Sequence, residues 1–317
     1  AEISTTRRVR LHGQVGEALE RRYGARAEER AARLALHFSE AATLSPRFNE
    51  KAARYSAIAG HQALAQSAYP EAARHLRAAL SAREGQEMDD ALAELLCDYA
   101  SAAYASADGR EGWRATKRAF DYCEQSGNVA LAVRAALLVD TWSGRRAQML
   151  ERALALVDED SAEYGVLNAS LGEALAVGNL ATGTLGSEDE RAQEAFRRAR
   201  KVAERLGLKR LELTILLGEA RIDNFYWRPR ESFRKAEQAV ALARELGDPL
   251  SEMTAHHFAA FNFDLALRDV AREHARAQRA LAERSRDRQV ILDAANVEAG
   301  VAVFAGDWDV VREAASR

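Results

Sequence analysis

Cysteine, proline and long apolar runs are scarce in this chain of 317 residues, and each scarcity excludes a class of protein. Two cysteines, Cys97 and Cys123, are too few for a disulfide framework or a four-cysteine zinc site, so we expect buried thiols in a reducing compartment. No apolar run approaches the roughly 18 residues of a transmembrane helix. The first ten residues also lack the apolar stretch of a signal peptide. These absences together favour a cytoplasmic protein.

The charge balance is equally unremarkable. The formal net charge is −3, which gives no general reason to expect binding to nucleic acid or to a membrane. Hydrophobic residues make up 48% of the chain and charged residues 29%, which excludes a disordered or collagen-like chain. Alanine, leucine, glutamate and arginine are abundant while proline occurs 4 times, a composition typical of helical proteins.

The spacing of apolar residues predicts an all-α fold. Apolar side chains recur at intervals of three and four residues almost throughout, and the breakers divide the chain into sixteen predicted helices. All four prolines lie where a helix would begin, and glycines such as Gly127, Gly207 and Gly247 lie where one would end. The connections are short, which favours antiparallel helical hairpins.

The second helix of each predicted hairpin carries a repeated trio of mostly small side chains. Successive trios are 34 to 46 residues apart, most of them near 40, and a seventh begins with Val311 and Ala315. Small residues at fixed positions allow neighbouring helices to approach closely, as stacked hairpins require. The six complete trios are Ala72/Leu76/Ala79, Gly112/Thr116/Ala119, Arg146/Leu150/Ala153, Ala192/Phe196/Ala199, Ser232/Ala236/Ala239 and Ala271/Ala275/Gln278.

The pattern Gly60, Tyr69, Ala72, Leu76 and Ala79 resembles the tetratricopeptide repeat. The resemblance implies a right-handed superhelical solenoid of stacked antiparallel hairpins, with the first helix of each hairpin on the concave face. We expect residues 1–45 to form an N-terminal helical hairpin that joins a missing upstream domain. Residues 46–317 would form about seven repeats, the last one truncated.

Residues 7–84 carry a narrower resemblance, through the runs LALHFSEA and AIAGHQALAQSAYPEAARHL. They are similar to the segment that follows the ATPase in large bacterial signalling proteins. Those proteins combine an AAA-type or STAND-type ATPase and a tetratricopeptide array with a LuxR-type DNA-binding domain or a nucleotide cyclase. The chain itself has neither a phosphate-binding loop motif nor a recognition helix, so we expect a piece of such a transcriptional regulator or cyclase.

The resemblance also implies candidate groove residues on the first helices, and the run RIDNFYWRPR adds two aromatic side chains. Aromatic and arginine side chains together are typical of interaction hot spots. We interpret these residues as the binding site for a partner protein or peptide. An equal alternative is another segment of the longer protein, namely its ATPase or output domain. The candidates are Arg54, His61, Arg221, Asn224, Tyr226, Trp227, His256, Phe263, Asp293 and Asn296.

No convergent set of acid, base, nucleophile or metal ligand is present in the sequence, so we predict no enzyme, cofactor or metal site in this chain. The leading interpretation is a non-catalytic protein-interaction and regulatory module. The alternative is a domain that senses a small-molecule inducer through one enclosed pocket rather than an extended face. A third interpretation is self-association through an open end of the solenoid, in which the oligomer depends on where the chain is cut.

Overall fold

The computed structural model confirms the all-α prediction for the residues that it describes, which contain helices and no strand. They divide into two compact units, one within residues 1–140 and one within residues 141–317. The described residues are 4–139, 144–182, 187–261, 268–285 and 288–315.

The first unit contains seven α-helices, each packed on the next along the chain. The predicted helix over 25–43 differs, because two 3-10 turns between Gly24 and Arg30 precede its α-helical part. The helices are α1 (Thr5–Tyr23), α2 (Ala31–Ala41), α3 (Pro46–Ala65), α4 (Tyr69–Ala82), α5 (Asp90–Ala105), α6 (Gly109–Ser126) and α7 (Val129–Leu138).

The helices of residues 1–45, which we predicted to form an N-terminal hairpin, share a core with the helix that follows them. Leu34 and Phe38 on α2 share one buried cluster with Tyr55 and Ala59 on α3. The rings of Phe38 and Tyr55 are stacked, with their centroids 5.7 Å apart. Because this core crosses the predicted boundary, the N-terminal helices belong to the first unit.

The second unit contains nine α-helices within its described residues, again packed consecutively. The first helices of its hairpins also contact one another: α9 contacts α11, α11 contacts α13, and α13 contacts α15. The helices are α8 (Arg146–Leu154), α9 (Ala162–Thr182), α10 (Ser187–Leu206), α11 (Lys209–Phe225), α12 (Pro229–Leu246), α13 (Pro249–Ala260), α14 (Arg268–Ser285), α15 (Arg288–Ala305) and α16 (Trp308–Ala315).

The helix ends follow the local signals of the sequence. Asp89 and Asp248 accept hydrogen bonds from the backbone N–H groups of Leu92 (2.7 Å) and Ser251 (3.1 Å), as N-capping residues do. All four prolines lie in a first helical turn. Ser45 is an exception, because it is extended before Pro46 but its side chain makes no capping hydrogen bond.

Every position of the six complete trios is buried, in both units. The alanines at the third position, from Ala79 to Ala239, are 0% exposed. A side chain this small lets the neighbouring helices approach closely while still filling the space between them. The repeated trio therefore marks the packed face of each second helix.

Four hairpin turns share one geometry, whereas the connection between α1 and α2 consists of two 3-10 turns. One residue takes a positive φ, and the N–H of the next donates to the carbonyl oxygen five residues earlier at 2.8–2.9 Å, as in a Schellman motif. The left-handed position is glycine in one turn and bears a side chain in the other three. The residues there are Ser67, Ala107, Trp227 and Gly306.

No helix among the described residues combines the length and the apolarity needed to cross a bilayer.

Gly60 tests the close packing inside a hairpin. A Cβ atom at Gly60 would lie 2.5 Å from Leu76 Cγ, and Leu76 is 0% exposed and has no room to move. We expect Gly60→Ala to lower the free energy of unfolding by about 1–3 kcal/mol, measured by urea denaturation. Gly300 is the matched control, because a Cβ there meets no atom within 4 Å. Gly300→Ala should raise that free energy by about 0.5–1 kcal/mol, and equal losses for both variants would contradict the packing described.

Candidate functional site

In the first unit, the side chains of the candidate residues Arg54 and His61 each contact a carboxylate. Arg54 Nη2 lies 2.7 Å from Glu28 Oε1, and both side chains are more than half exposed. His61 Nε2 lies 2.8 Å from Asp98 Oδ2, and the other oxygen of Asp98 accepts from Arg134. Asp98 lies on α5 and is 9% exposed. Its nearly buried carboxylate therefore connects three first helices, with His61 on α3 and Arg134 on α7. Exposed pairs such as Arg54–Glu28 contribute little to stability.

In the second unit, Arg221 connects three first helices. Its guanidinium pairs with Glu173 on α9 and lies 5.5 Å from the centroid of the Phe258 ring on α13. Glu173 also faces Arg146, whose Nη2 is 3.6 Å from Glu173 Oε2. Asn224 extends the connection, because its Nδ2 donates to the carbonyl oxygen of Phe261 at 2.6 Å. The predicted groove residues of α11 therefore lie where α9, α11 and α13 meet.

Tyr226 and Trp227 follow the end of α11. Tyr226 lies against α9, whereas Trp227 is exposed to solvent. The Tyr226 hydroxyl donates to the carbonyl oxygen of Ala176 on α9 at 3.3 Å, and its ring lies 5.5 Å from the Arg228 guanidinium. Trp227 is 73% exposed and has a φ of +56°. A bulky side chain is rare at such a φ, which costs free energy. Trp227 therefore offers an exposed aromatic side chain close to the end of α11.

His256 does not line the groove, contrary to our prediction. It is 3% exposed, and its Nδ1 lies 2.7 Å from Nδ1 of His274 on α14, with Arg244 and Glu252 beside it. Burial, the neighbouring imidazole and the Arg244 charge lower the pKa of His256 to about 4, so the ring is neutral at pH 7. The repeat spacing contained a signal for this burial. Forty residues before His256 the chain has the apolar residue Leu216, which lies in the core with 6% exposure.

His257, the next residue, lines the groove instead, and neither His257 nor Phe261 is among the predicted residues. The two rings are stacked with centroids 5.8 Å apart and planes at 2°. Burial lowers the pKa of His257 and the Arg221 charge lowers it further, although Asp293 acts in the opposite direction. His257 is therefore a neutral imidazole that lies between a candidate on α11 and a candidate on α15.

A groove of about 470 Å³ lies between α13 and α15, with α14 beneath it. Two of the predicted residues, Asp293 and Asn296, line it and are exposed. The predicted residue Phe263 lies outside the described residues. The full lining is Met253, Thr254, His257, Phe261, Gln278, Val290, Asp293, Asn296 and Val297.

We refer to the row Glu173, Arg221, Asn224, His257, Phe261, Asp293 and Asn296 as the first-helix face of the second unit. Its members come from α9, α11, α13 with its C-terminal cap, and α15. Together they present charged, carboxamide, imidazole and phenyl groups. Such a set can hydrogen-bond a peptide backbone and pack against apolar side chains.

The described residues offer little reactive chemistry. They contain no group of three or more histidine, cysteine or acidic side chains that could hold a metal ion. Cys97 and Cys123 are free and buried, and burial raises the pKa of their thiols to about 12 and about 11. Both are therefore protonated at pH 7 and poor nucleophiles. Comparison with known protein families and with curated proteins gives no match for this chain.

Trp227 provides a test of the turn geometry. Trp227→Gly relieves the strain of a positive φ but adds freedom to the unfolded chain, so we expect the free energy of unfolding to change by less than about 1 kcal/mol. Ala107→Gly is the matched control at the same turn position in the first unit. Urea denaturation of both variants isolates the contribution of the indole, and a loss of about 3 kcal/mol for Trp227→Gly alone would show that the indole is a core group.

The histidine pair predicts a pH dependence of stability. Burial lowers the pKa of both His256 and His274 in the folded state, whereas unfolded imidazoles titrate near 6.5. Below that pH the unfolded chain binds more protons, so stability is fully present above pH 6.5 and falls toward pH 4. For His256 the loss is on the order of 3 kcal/mol. His256→Leu should flatten the pH dependence of urea denaturation in this window, and unchanged slopes would contradict it.

Proposed function

We propose that this chain is a non-catalytic, tetratricopeptide-like interaction module that binds a partner protein, or another segment of its own chain, along its first helices. The supporting observation is the first-helix face of the second unit, which runs across four successive first helices. Its exposed members, Phe261, Asp293 and Asn296, border a groove of about 470 Å³. An extended face of this kind suits a peptide segment better than a reaction centre.

The repeated features support the tetratricopeptide-like arrangement. Six trios are buried at equivalent positions, and four hairpin turns share a left-handed residue with the same hydrogen bond. First helices contact the next first helix in both units. These features are what stacked hairpins with first helices on one face require. A right-handed superhelix is part of the same proposal.

The cellular role that we propose is regulatory. The resemblance of residues 7–84 to the segment after the ATPase of bacterial signalling proteins supports a cytoplasmic transcriptional regulator or nucleotide cyclase as the whole protein. In such a protein, occupation of the groove would be transmitted to the ATPase and the output domain. The two free, buried thiols are compatible with a reducing compartment.

The alternative is a small-molecule inducer site in the same groove. Its volume of about 470 Å³ is within the range of pockets that hold small ligands, and it combines apolar with polar side chains. An inducer would need the groove alone. A partner protein would also use Arg221, Asn224 and Trp227 outside it.

Selection from a displayed random peptide library on the immobilised full chain tests the proposal. Selected peptides, measured by fluorescence anisotropy, should bind about tenfold more weakly to the double variant Asp293→Ala/Asn296→Ala, a loss of about 1.4 kcal/mol. Thermal unfolding should be unchanged, because both side chains are exposed. The double variant Glu237→Ala/Gln238→Ala, at exposed positions of α12, is the control and should bind normally.

The same measurements separate the alternative. If no peptide is selected while metabolites raise the melting temperature of the wild type but not of Asp293→Ala/Asn296→Ala, the groove is an inducer site. Selected peptides that bind both double variants equally would place the binding surface elsewhere on the chain.

A further inference from the structure

The first helix of the first unit has an exposed apolar stripe that ends in an arginine on each side. Its five members recur at alternating intervals of three and four residues, so they lie along one side of α1. All five are exposed, and the two large aliphatic side chains in the middle are 39% and 40% exposed. We call Arg8, Leu11, Val15, Ala18 and Arg22 the outer stripe of α1.

The opposite side of α1 holds the helix on the rest of the first unit. A Cβ at Gly16 would lie 2.9 Å from the Phe38 ring on α2, so the two helices are in close contact there. The acidic residues of α1 are Glu17 and Glu20, and both pair with basic residues on α3. The outer stripe is therefore left without a carboxylate from its own helix.

The arginines of α1 are not neutralised within the part of the chain that the structure describes. Arg7, Arg10 and Arg21 are exposed beside the stripe, and none of the five arginines of α1 forms an ion pair with a described residue. The first turn of α1 contains Arg7 and Arg8 and no acidic residue. A positive charge there opposes the helix dipole, so helix stability gives no reason for arginine at these two positions.

The composition of the outer stripe favours a protein helix as its partner. Alternating intervals of three and four residues are typical of helices that pack side by side, and aliphatic residues rimmed by arginine are typical of interfaces. A second copy of the stripe would bring arginines against arginines at both ends, whichever way the two helices ran. A membrane-binding helix needs a broader apolar face, and a nucleic acid would leave Leu11 and Val15 without an apolar contact.

We propose that the outer stripe of α1 docks an amphipathic helix of a partner protein whose apolar side is flanked by acidic residues at both ends. The aliphatic side chains of the partner pack on Leu11, Val15 and Ala18, and its carboxylates pair with the arginines. From Arg8 to Arg22 the helix rises by about 21 Å, so the two acidic groups of the partner lie about that far apart. The inference goes beyond the proposed function, because it assigns a second surface, in the first unit, with its own partner chemistry.

The test measures the binding of fluorescein-labelled helical peptides to the full chain by fluorescence anisotropy. The probe is a peptide of about 20 residues with leucine at alternating intervals of three and four and two glutamates at each end. A peptide with glutamine in place of the glutamates has nearly the same shape without the charge. We expect the glutamate peptide to bind at least about tenfold more tightly at low salt, and the difference to shrink as salt screens the charges.

Arg8→Gln/Arg22→Gln is the decisive variant, because it removes one charge from each end of the stripe. We expect it to weaken binding of the glutamate peptide by about tenfold and to leave the urea midpoint of unfolding nearly unchanged, since both side chains are exposed. Arg110→Gln/Arg118→Gln, at exposed positions of α6, is the matched control. It removes the same charge from the same unit and should bind the peptide normally.

The apolar middle of the stripe is tested separately. Leu11→Ala/Val15→Ala keeps residues that favour a helix and removes most of the exposed aliphatic surface. We expect it to weaken the glutamate and glutamine peptides by the same factor, because the charges are untouched. Equal affinity of the wild type for the two peptides, or equal losses for Arg8→Gln/Arg22→Gln and its control, would overturn the inference.

Three other outcomes would assign the stripe to a different occupant and overturn the inference. Vesicles of phosphatidylcholine and phosphatidylserine that bind through Arg8 and Arg22, when neither peptide binds, would identify a membrane surface. A DNA duplex that binds in the same way would identify a nucleic-acid surface. Self-association in light scattering that Leu11→Ala/Val15→Ala abolishes would identify an interface between copies of the chain.

The proposed function is tested independently of this inference. Asp293→Ala/Asn296→Ala, the variant that tests the groove of the second unit, should bind the glutamate peptide as the wild type does. Peptides selected from the library that bind through Asp293 and Asn296, when the glutamate peptide does not bind, would leave the proposed function standing and refute the docking site on α1.

Discussion

The close approach of second helices to their neighbours is the constraint on which the rest of the structure depends. At six places along the chain a trio of mostly small residues is buried. Inside the hairpins glycine serves the same purpose, since a Cβ at Gly60 or Gly172 would meet Leu76 or Phe196 at less than 3 Å. Within each unit, steric fit therefore fixes neighbouring helices against one another, and successive first helices come into contact.

The exceptions to this packing rule are the informative positions. Arg146 and Gln278 are large polar residues at trio positions, and both are more than nine-tenths buried. Arg146 reaches Glu173, which pairs with Arg221, and so links the core of the second unit to its first-helix face. Gln278 reaches the groove of the same face from below. Burying polar groups costs free energy, and alanine at the equivalent positions of the other trios avoids that cost.

The hairpin turns show a similar division between fold and site. A left-handed residue and one backbone hydrogen bond between residues five apart are enough to make the turn, and glycine takes the left-handed conformation at Gly306. The same conformation at Trp227 places a large indole where 73% of its surface is exposed. A backbone that accepts this strain next to Arg221 and Asn224 adds an aromatic contact to the edge of the binding face that we propose.

The sequence by itself determined the helices, because their signals are local: the apolar period, the capping aspartates, the first-turn prolines and the closing glycines. It also identified the buried trios, since a repeated small residue is visible at a fixed spacing. Tertiary structure alone decided which of the adjacent residues His256 and His257 faces the groove. Adjacent residues of a helix point about 100° apart, and a local sequence pattern cannot choose between them. It also decided that α2 and α3 share one core, since Phe38 and Tyr55 join segments that local signals separate.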